Sequence, residues 1–415
     1  MLPTSLTNLI FPLLNLFYEP AQRPLSPPRN ALQFELRHSH AVTPSAHVFL
    51  SDAPARSSFN GIRQPSLSLH STPVKTFKPS SPAAFSRARA RSMERGESEA
   101  LRWDEELVPG PDVESRETLL LLAKMTSNAY IEPGSDGWYD LDGNWTLNDP
   151  VGWEPDADGI RGYVFATSDN STIILSIKGT SASVGGGGPT QKKDKINDNL
   201  LFSCCCAHVD WTWTTVCDCF RGGWKCNQDC VEQALIDDSL FYPIGTNLYN
   251  NITYLYPNSN IWIVGHSLGG ALSSLLGVTF GVPVVAFEAP GEKMAAQRLH
   301  LPSPPSVQHI THVYHTADPI SMGTCNGVFS SCAIGGYAME SRCHLGRVIE
   351  YDTVSNLSWA VDIRTHPILR VIEGVLNQSW AHAVAQGREV PESHPQEDCV
   401  ECYSWDFGNY TNGTK

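Results

Sequence analysis

The sequence predicts an α/β fold: a mostly parallel central sheet with flanking helices and a disulfide-rich insertion. Three observations predict it. Short apolar strand segments alternate with helical patterns between residues 162 and 315, as expected of a sheet covered on both faces. A serine framed by glycines stands between one of these strands and the helix after it. Finally, seven of the twelve cysteines crowd into residues 204–230, a density that suits disulfides in an oxidising compartment.

Taken in order, the chain begins with an uncharged, mostly apolar stretch, residues 4–18. It is short for a membrane span and lacks the positive leader of a signal peptide; it is read as a signal peptide or short signal anchor, with a poorly defined start or an apolar segment packed on the domain as the alternatives. Residues 1–95 hold no cysteine and only Glu19, Glu35, Asp52 and Glu94 as acids. This shift in composition divides the chain into four parts. Residues 1–29 are an apolar targeting segment and linker, and 30–111 an extended region rich in Pro, Ser and Arg. Residues 112–395 form the main α/β domain, with a Cys-rich insertion at 200–230, and 396–415 are a tail. Within the extended region only residues 34–36 and 48–50 read as short strands.

Residues 115–130 read as a largely buried helix, because their apolar run is broad. A turn-rich stretch follows to residue 162. Residues 162–166 and 172–177 form a predicted hairpin, and four consecutive glycines come at 185–188. Residues 229–256 are mostly helical, with an interruption expected at 243–246. Residues 261–264 are a short apolar strand of the kind buried on both faces of a parallel sheet, and 268–277 a helix of small residues. Residues 282–287 and 310–315 are further strands.

The net charge of −14 in 415 residues argues against nucleic acid as a partner, since phosphate binding needs a basic face. Seven N-x-S/T sequons, at Asn144, Asn170, Asn251, Asn356, Asn377, Asn409 and Asn412, agree with the cysteines in pointing to a glycosylated, luminal protein. A zinc site within residues 204–230 is the rival reading of the cysteines, but three adjacent cysteines fit paired-ligand spacing poorly.

The chemistry centres on Gly265-His266-Ser267-Leu268-Gly269. A serine in a tight strand-to-helix turn needs small neighbours so that strand and helix can approach, and this pattern is the nucleophile elbow of α/β-hydrolases. A serine hydroxyl needs a base, and the base an acid to orient it. In this fold both follow the serine, acid first. Asp318, just past the strand at 310–315, is the first-ranked acid, and Glu288 the second. His366 precedes Pro367, which suits the first turn of a helix, and Ile368, Leu369, Ile372, Val375 and Leu376 continue with helical spacing. His366 is therefore the first-ranked base, ahead of His344. The oxyanion donors are expected to be the Leu268 N–H and the Thr180 N–H, with the Thr180 hydroxyl a further candidate.

These pieces resemble the class 3 lipases, in which a strand ending in glycine and a small hydroxyl residue supplies the oxyanion hole ahead of G-H-S-L-G-G. Here those residues are IKGT (177–180) and GHSLGG (265–270). Within that superfamily the chain is most similar to the fungal autophagy-related vacuolar lipases. The carrying segments are LLFSCCCAHVDWTWTTVCDCF (200–220), HTADPISMGTCNG (315–327), ESRCHLGRVIEYDT (340–353), DIRTH (362–366) and NALQFELRH (30–38). The resemblance covers roughly residues 30–402 and implies a serine lipase and phospholipase of glycoprotein type. Its substrates would be membrane phospholipids and neutral lipid esters in vesicle bilayers. The route would run through the secretory pathway and multivesicular bodies to the vacuole, with the catalytic domain in the lumen. It also assigns the triad roles to Ser267, Asp318 and His366.

The chemistry so read calls for no metal and no organic cofactor. A lipid substrate calls for an apolar surface around the site, and Trp211, Trp213, Phe220 and Trp224 of the Cys-rich insertion are candidates; otherwise they form that insertion's own small core. Two other readings share the same residues. One is a soluble carboxylesterase, peptidase or cutinase-like hydrolase; the other is a non-catalytic lipid-binding glycoprotein on the same scaffold.

Overall fold

The computed structural model describes residues 30–42, 47–53, 67–96, 100–132, 135–139, 141, 160–180, 189–208, 215–238, 241–396 and 398–410. The targeting segment, the four glycines, Trp211, Trp213, Asn144 and Asn412 lie outside these residues. In chain order the strands are β1 (Asn30–Val42), β2 (Val48–Asp52), β3 (Leu67–Pro79), β4 (Trp103–Pro111), β5 (Arg161–Thr167), β6 (Thr172–Ile177), β7 (Lys225–Asn227), β8 (Asn260–His266), β9 (Val284–Phe287), β10 (Ile310–His315), β11 (Arg347–Tyr351), β12 (His394–Pro395) and β13 (Asp406–Gly408). The longer helices are α1 (Pro82–Arg95), α2 (Arg116–Asn128), α3 (Pro189–Phe202), α4 (Gln228–Asp238), α5 (Phe241–Leu255) and α6 (Leu268–Phe280), followed by the short α7 (Lys293–Arg298) and α8 (Ser331–Gly335).

One sheet organises the described residues, in the order β12-β11-β10-β9-β8-β6-β5-β1-β3-β4, with β2 beside β1. From β6 through β8, β9 and β10 to β11 the neighbours are parallel. This is the predicted parallel centre. Every residue of β6, β9 and β10 is buried, as strands covered on both faces must be. One hydrophobic cluster joins α5 and α6 to one face of the sheet, and a second joins α2 and residues 368–376 to the other.

The antiparallel flank is larger than expected, and it corrects the domain boundary at 111/112. β1 is thirteen residues long and pairs with β5 in the middle of the same sheet, while β3 and β4 extend the sheet outward. Phe34 and Leu69 are buried against Trp262 and its neighbours in a shared cluster. Residues 30–111 are thus part of the α/β unit and not an extended appendage. The short strands at 34–36 and 48–50 are pieces of β1 and β2. Helix α1 was also unforeseen, though its punctuation is regular. Ser81 caps the Ala84 N–H, Pro82 stands in the first turn and Gly96 closes the end in the left-handed conformation.

Two further readings shift. The interruption expected at residues 243–246 is absent, because those residues are helical within α5. Pro243 lies in the first turn of that helix, where its missing N–H costs nothing. Of the tail expected at 396–415, the described residues 398–410 are tied down, because Cys399 bonds Cys343, Cys402 bonds Cys204, and β13 pairs with β7.

All twelve cysteines are paired: Cys204–Cys402, Cys205–Cys226, Cys206–Cys217, Cys219–Cys230, Cys325–Cys332 and Cys343–Cys399. Cys206, Cys217 and Cys219 come close enough to share a metal ion, but each sulfur is spent in a disulfide, which removes the thiolates a zinc site needs. Phe220 stacks on His208 and packs edge-on against Trp405, within a cluster that contains four of these disulfides. Phe220 therefore belongs to the insertion's own core, whereas Trp224 is 58% exposed.

Candidate active site

Strand β8 runs directly into α6, and the turn between them holds Ser267 at φ 56°, ψ −131°. A residue with a side chain rarely adopts this conformation; here it is held by the Ser267 N–H bond to the Phe287 carbonyl, 3.0 Å. A Cβ on Gly265 would run into the Gly269 backbone, and one on Gly269 would run into the Ile177 and Lys178 backbone. Only glycine lets the strand, the elbow and the neighbouring strand end meet.

The structure brings the three first-ranked residues together. His366 Nε2 lies 2.9 Å from Ser267 Oγ, and His366 Nδ1 lies 2.7 Å from Asp318 Oδ2. His366 follows a single turn of 3-10 helix, Ile363–Thr365, whose Asp362 cap accepts from the Arg364 N–H. The Thr365 hydroxyl and the Asp362 N–H both donate to the Ala317 carbonyl, at 2.9 and 3.1 Å. The base loop is thereby laced to the acid loop.

Asp318 is fully buried. Burial alone would push its carboxyl up, but the charge and hydrogen bond of His366, a bond from Glu288 and the Ile320 N–H together hold it well below the usual carboxylate range. Glu288, the second-ranked acid, sits beside it. Burial first, and then the Asp318 charge, pushes Glu288 well above its ordinary value, opposite in direction to its neighbour. Glu288 Oε2 accepts from Ser321 Oγ at 3.0 Å. Glu288 is thus a companion of the acid and not a replacement for it. The alternative base, His344, is buried elsewhere. Its Nε2 donates to the Ala289 carbonyl and its ring packs against His312 and Tyr314.

The strand end opposite the elbow is equally constrained. The Gly179 N–H donates to Tyr130 Oη at 2.9 Å, and the Lys178 ammonium donates to the Gly179 carbonyl at 2.8 Å. Because the Gly179–Thr180 peptide is planar and trans, fixing that carbonyl also fixes the opposite direction of the Thr180 N–H. Leu268 stands first in α6, where backbone N–H groups have no acceptor inside the helix. The Thr180 hydroxyl, one of the candidate donors, is engaged instead: it bonds Asp198 Oδ2 at 2.7 Å. Burial lowers the Lys178 ammonium to about 8.

Sequence reasoning missed Tyr130 and His266. His266 Nε2 lies 2.9 Å from the His366 carbonyl, which can only accept, so Nε2 carries the proton. Nδ1 is then the acceptor for the Tyr130 hydroxyl at 2.8 Å. Burial, and next the proximity of His366, lowers His266 to about 3, which keeps it neutral. A single hydroxyl at the end of α2 thereby ties Gly179, the elbow and the base loop into one network. The only signal in the sequence was a polar residue closing an apolar helix.

Five sequons lie within the described residues. Asn170, Asn356, Asn377 and Asn409 are exposed, and Asn251 is half-buried on α5.

Comparisons with known proteins give the family. The family model described as "Lipase (class 3)" matches residues 212–323. The protein named "Putative lipase ATG15" of Cryptococcus neoformans var. neoformans serotype D (strain B-3501A) is 50% identical over 366 residues, covering 74% of this chain and 70% of its own length. Its namesake in Mycosarcoma maydis is 54% identical over 297 residues, covering 69% of this chain and 57% of its own. Among solved structures, the Lip2 lipase from Yarrowia lipolytica aligns with 58% of this chain and 80% of its own at 18% identity and a TM-score of 0.30, a likeness too distant to carry an argument. The identity and coverage shared with the Cryptococcus protein place this chain in the ATG15 family of class 3 lipases, as a lipase of the α/β-hydrolase fold.

Proposed function

We propose that this lipase cleaves acyl esters of membrane phospholipids and neutral lipids through Ser267, and that it acts on vesicles delivered to the vacuole lumen by the secretory and multivesicular-body route. The observation that carries the catalytic part is the hydrogen-bonded chain Ser267–His366–Asp318 at a strained elbow. Ser267 Oγ attacks the ester carbonyl and passes its proton to His366 Nε2. Asp318, ionised and buried, holds the imidazole in the right tautomer and stabilises its cation. The Leu268 and Thr180 N–H groups receive the oxyanion. The alcohol or lysolipid leaves with the proton from His366, and water, deprotonated by the same imidazole, releases the fatty acid and restores Ser267.

Six disulfides support a luminal setting, and the exposed sequons support glycosylation there. Among the described residues no helix is long and apolar enough to cross a membrane.

The test incubates the purified protein and Ser267→Ala with vesicles of mixed phospholipid and triacylglycerol at mildly acidic pH, with mass spectrometry of the products. Fatty acid and lysophospholipid released only by the parent are expected. Cleavage of a soluble short-chain ester without release from vesicles would overturn the membrane part and leave a soluble esterase. Undiminished hydrolysis by Ser267→Ala would overturn the catalytic part.

A further inference from the structure

We propose that the disulfide-closed loop between Cys325 and Cys332, together with α8, is a membrane-contact prong that inserts Val328, Phe329 and Ile334 into the bilayer beside the active site. The proposal rests on the reading that the substrate lies in a bilayer, and adds how this enzyme grips that surface.

Exposure is the first observation. Phe329 is 92% exposed, Ile334 80% and Val328 41%, all within seven residues of one another. Single exposed apolar side chains are ordinary, but a cluster at the tip of one small element marks a contact surface. Charge is the second. Residues 319–339 contain no Asp, Glu, Lys, Arg or His, in a chain whose net charge is −14. An acidic protein approaching anionic headgroups is repelled wherever it presents carboxylates; this stretch presents none. The missing charges fit a lipid surface better than a protein partner, whose interface would carry a polar rim.

Rigidity is the third observation. Cys325 and Cys332 are buried at 2% and 5% exposure and joined in a disulfide. The Pro319 carbonyl accepts from both the Thr324 and the Cys325 N–H groups at 2.8 Å. Ser330 Oγ caps α8 at the Ala333 N–H, and Gly336 ends it in the left-handed conformation. A loop already fixed loses little conformational freedom on binding.

Placement is the fourth. Pro319 directly follows Asp318, so one root of the prong is the acid loop. The other root is held by Asn199, which donates to the Gly336 carbonyl at 3.0 Å and accepts from the Ala338 N–H at 2.8 Å. Asn199 adjoins Asp198, the partner of Thr180. The prong is therefore braced between the acid side and the oxyanion side of Ser267. Among the described aromatics of the Cys-rich insertion, Phe220 and Trp224 pack on Trp405 instead. A lipid drawn up at the prong is delivered to the serine.

The test combines Phe329→Ser with Ile334→Ser. Binding to phosphatidylcholine vesicles is measured by co-sedimentation in the Ser267→Ala background, and hydrolysis of a soluble short-chain ester is measured with Ser267 intact. Vesicle binding is expected to fall roughly tenfold or more, the order set by withdrawing two large apolar side chains from lipid. Soluble-ester kcat/KM should stay within about twofold of the parent, because both side chains are exposed at the surface and neither takes part in the hydrogen bonds of the triad. Phe329→Trp, which retains an interfacial aromatic, should keep the parent's binding and add fluorescence quenching by brominated lipid. Vesicle binding by the double variant equal to the parent's, or no added quenching for Phe329→Trp, overturns the prong while leaving the enzyme a membrane lipase. A parent dimer that dissociates in the double variant without loss of vesicle binding would assign the face to a second copy and overturn it too. A parent that cleaves soluble ester but neither binds nor hydrolyses vesicles overturns both readings together.

Discussion

Replacing Tyr130 with Phe removes one oxygen and tests whether the network around Gly179 positions the site. The Tyr130 hydroxyl accepts from the Gly179 N–H at 2.9 Å and donates to His266 Nδ1 at 2.8 Å. Burial and the nearby Asp194 and Asp198 raise its pKa, so it remains a donor at any working pH, although the Gly179 bond opposes the shift. Phe fills the same space, so the ring packing survives and no cavity opens. What is lost is two hydrogen bonds, each leaving a buried group without a partner. Such a group costs about 1–3 kcal/mol. Gly179 and His266 are both buried, so the two losses together should cost at least about 2 kcal/mol. The catalytic consequence is larger than that figure suggests, since the Gly179 peptide carries the Thr180 N–H. Loosening one oxyanion donor by a fraction of an ångström costs roughly tenfold to a hundredfold in rate. Urea denaturation gives the first quantity, and kcat on a soluble short-chain ester gives the second. A Tyr130→Phe protein with parental midpoint and parental kcat would refute the positioning argument. A protein destabilised by about 2 kcal/mol but fully active would show that the network supports the fold and not the oxyanion donor.

Two further predictions follow from the buried charges and crosslinks. Glu340 Oε2 accepts from the Cys204 N–H at 2.6 Å, and burial, opposed by that bond and by Arg298, raises its carboxyl to about 7. A raised acid contributes stability below its unfolded value and loses it as pH climbs to the folded one. The parent should therefore lose about 3 kcal/mol of this contribution between pH 4.5 and pH 7. Glu340→Gln, which keeps the acceptor, should flatten that part of the stability–pH curve; an unchanged slope would rule Glu340 out as its source. The Cys343–Cys399 bridge spans 56 residues, and loop closure on that scale is worth about 4 kcal/mol. Replacing both with Ser should lower the thermal midpoint by several degrees or more and free the 396–410 segment for proteolysis. A variant that melts and resists protease as the parent does would show that the Cys204–Cys402 bridge and the β12 and β13 pairings hold the tail without it.

The active-site candidates were legible because the chemistry imposes local spacing. A serine at a strand-to-helix turn demands Gly265 and Gly269, whose absent side chains make room for neighbouring backbone. The order acid-then-base left a short choice among Glu288, Asp318, His344 and His366. The structure resolved it by distance, since His366 reaches both Ser267 and Asp318 while His344 faces Ala289. The N-terminal region was misjudged for the opposite reason. Its thirteen-residue strands carry Pro, Ser and Arg between the apolar positions, and only their partners β5 and β4 make them part of a sheet.

By itself the sequence determined the α/β class, the elbow, the order of β5, β6, β8, α6, β9 and β10, and the disulfide state of its cysteines. These follow from hydrophobic period, glycine sterics and cysteine density, all of which act between neighbours along the chain. Only the tertiary structure decided which cysteines pair, that β1, β3 and β4 complete the sheet, and that burial beside Asp318 pushes the Glu288 carboxyl up. It also decided that Tyr130 ties Gly179 to His266. Each of these depends on groups tens to hundreds of residues apart in sequence. Their pairing, burial and mutual charge exist only once the chain has closed on itself.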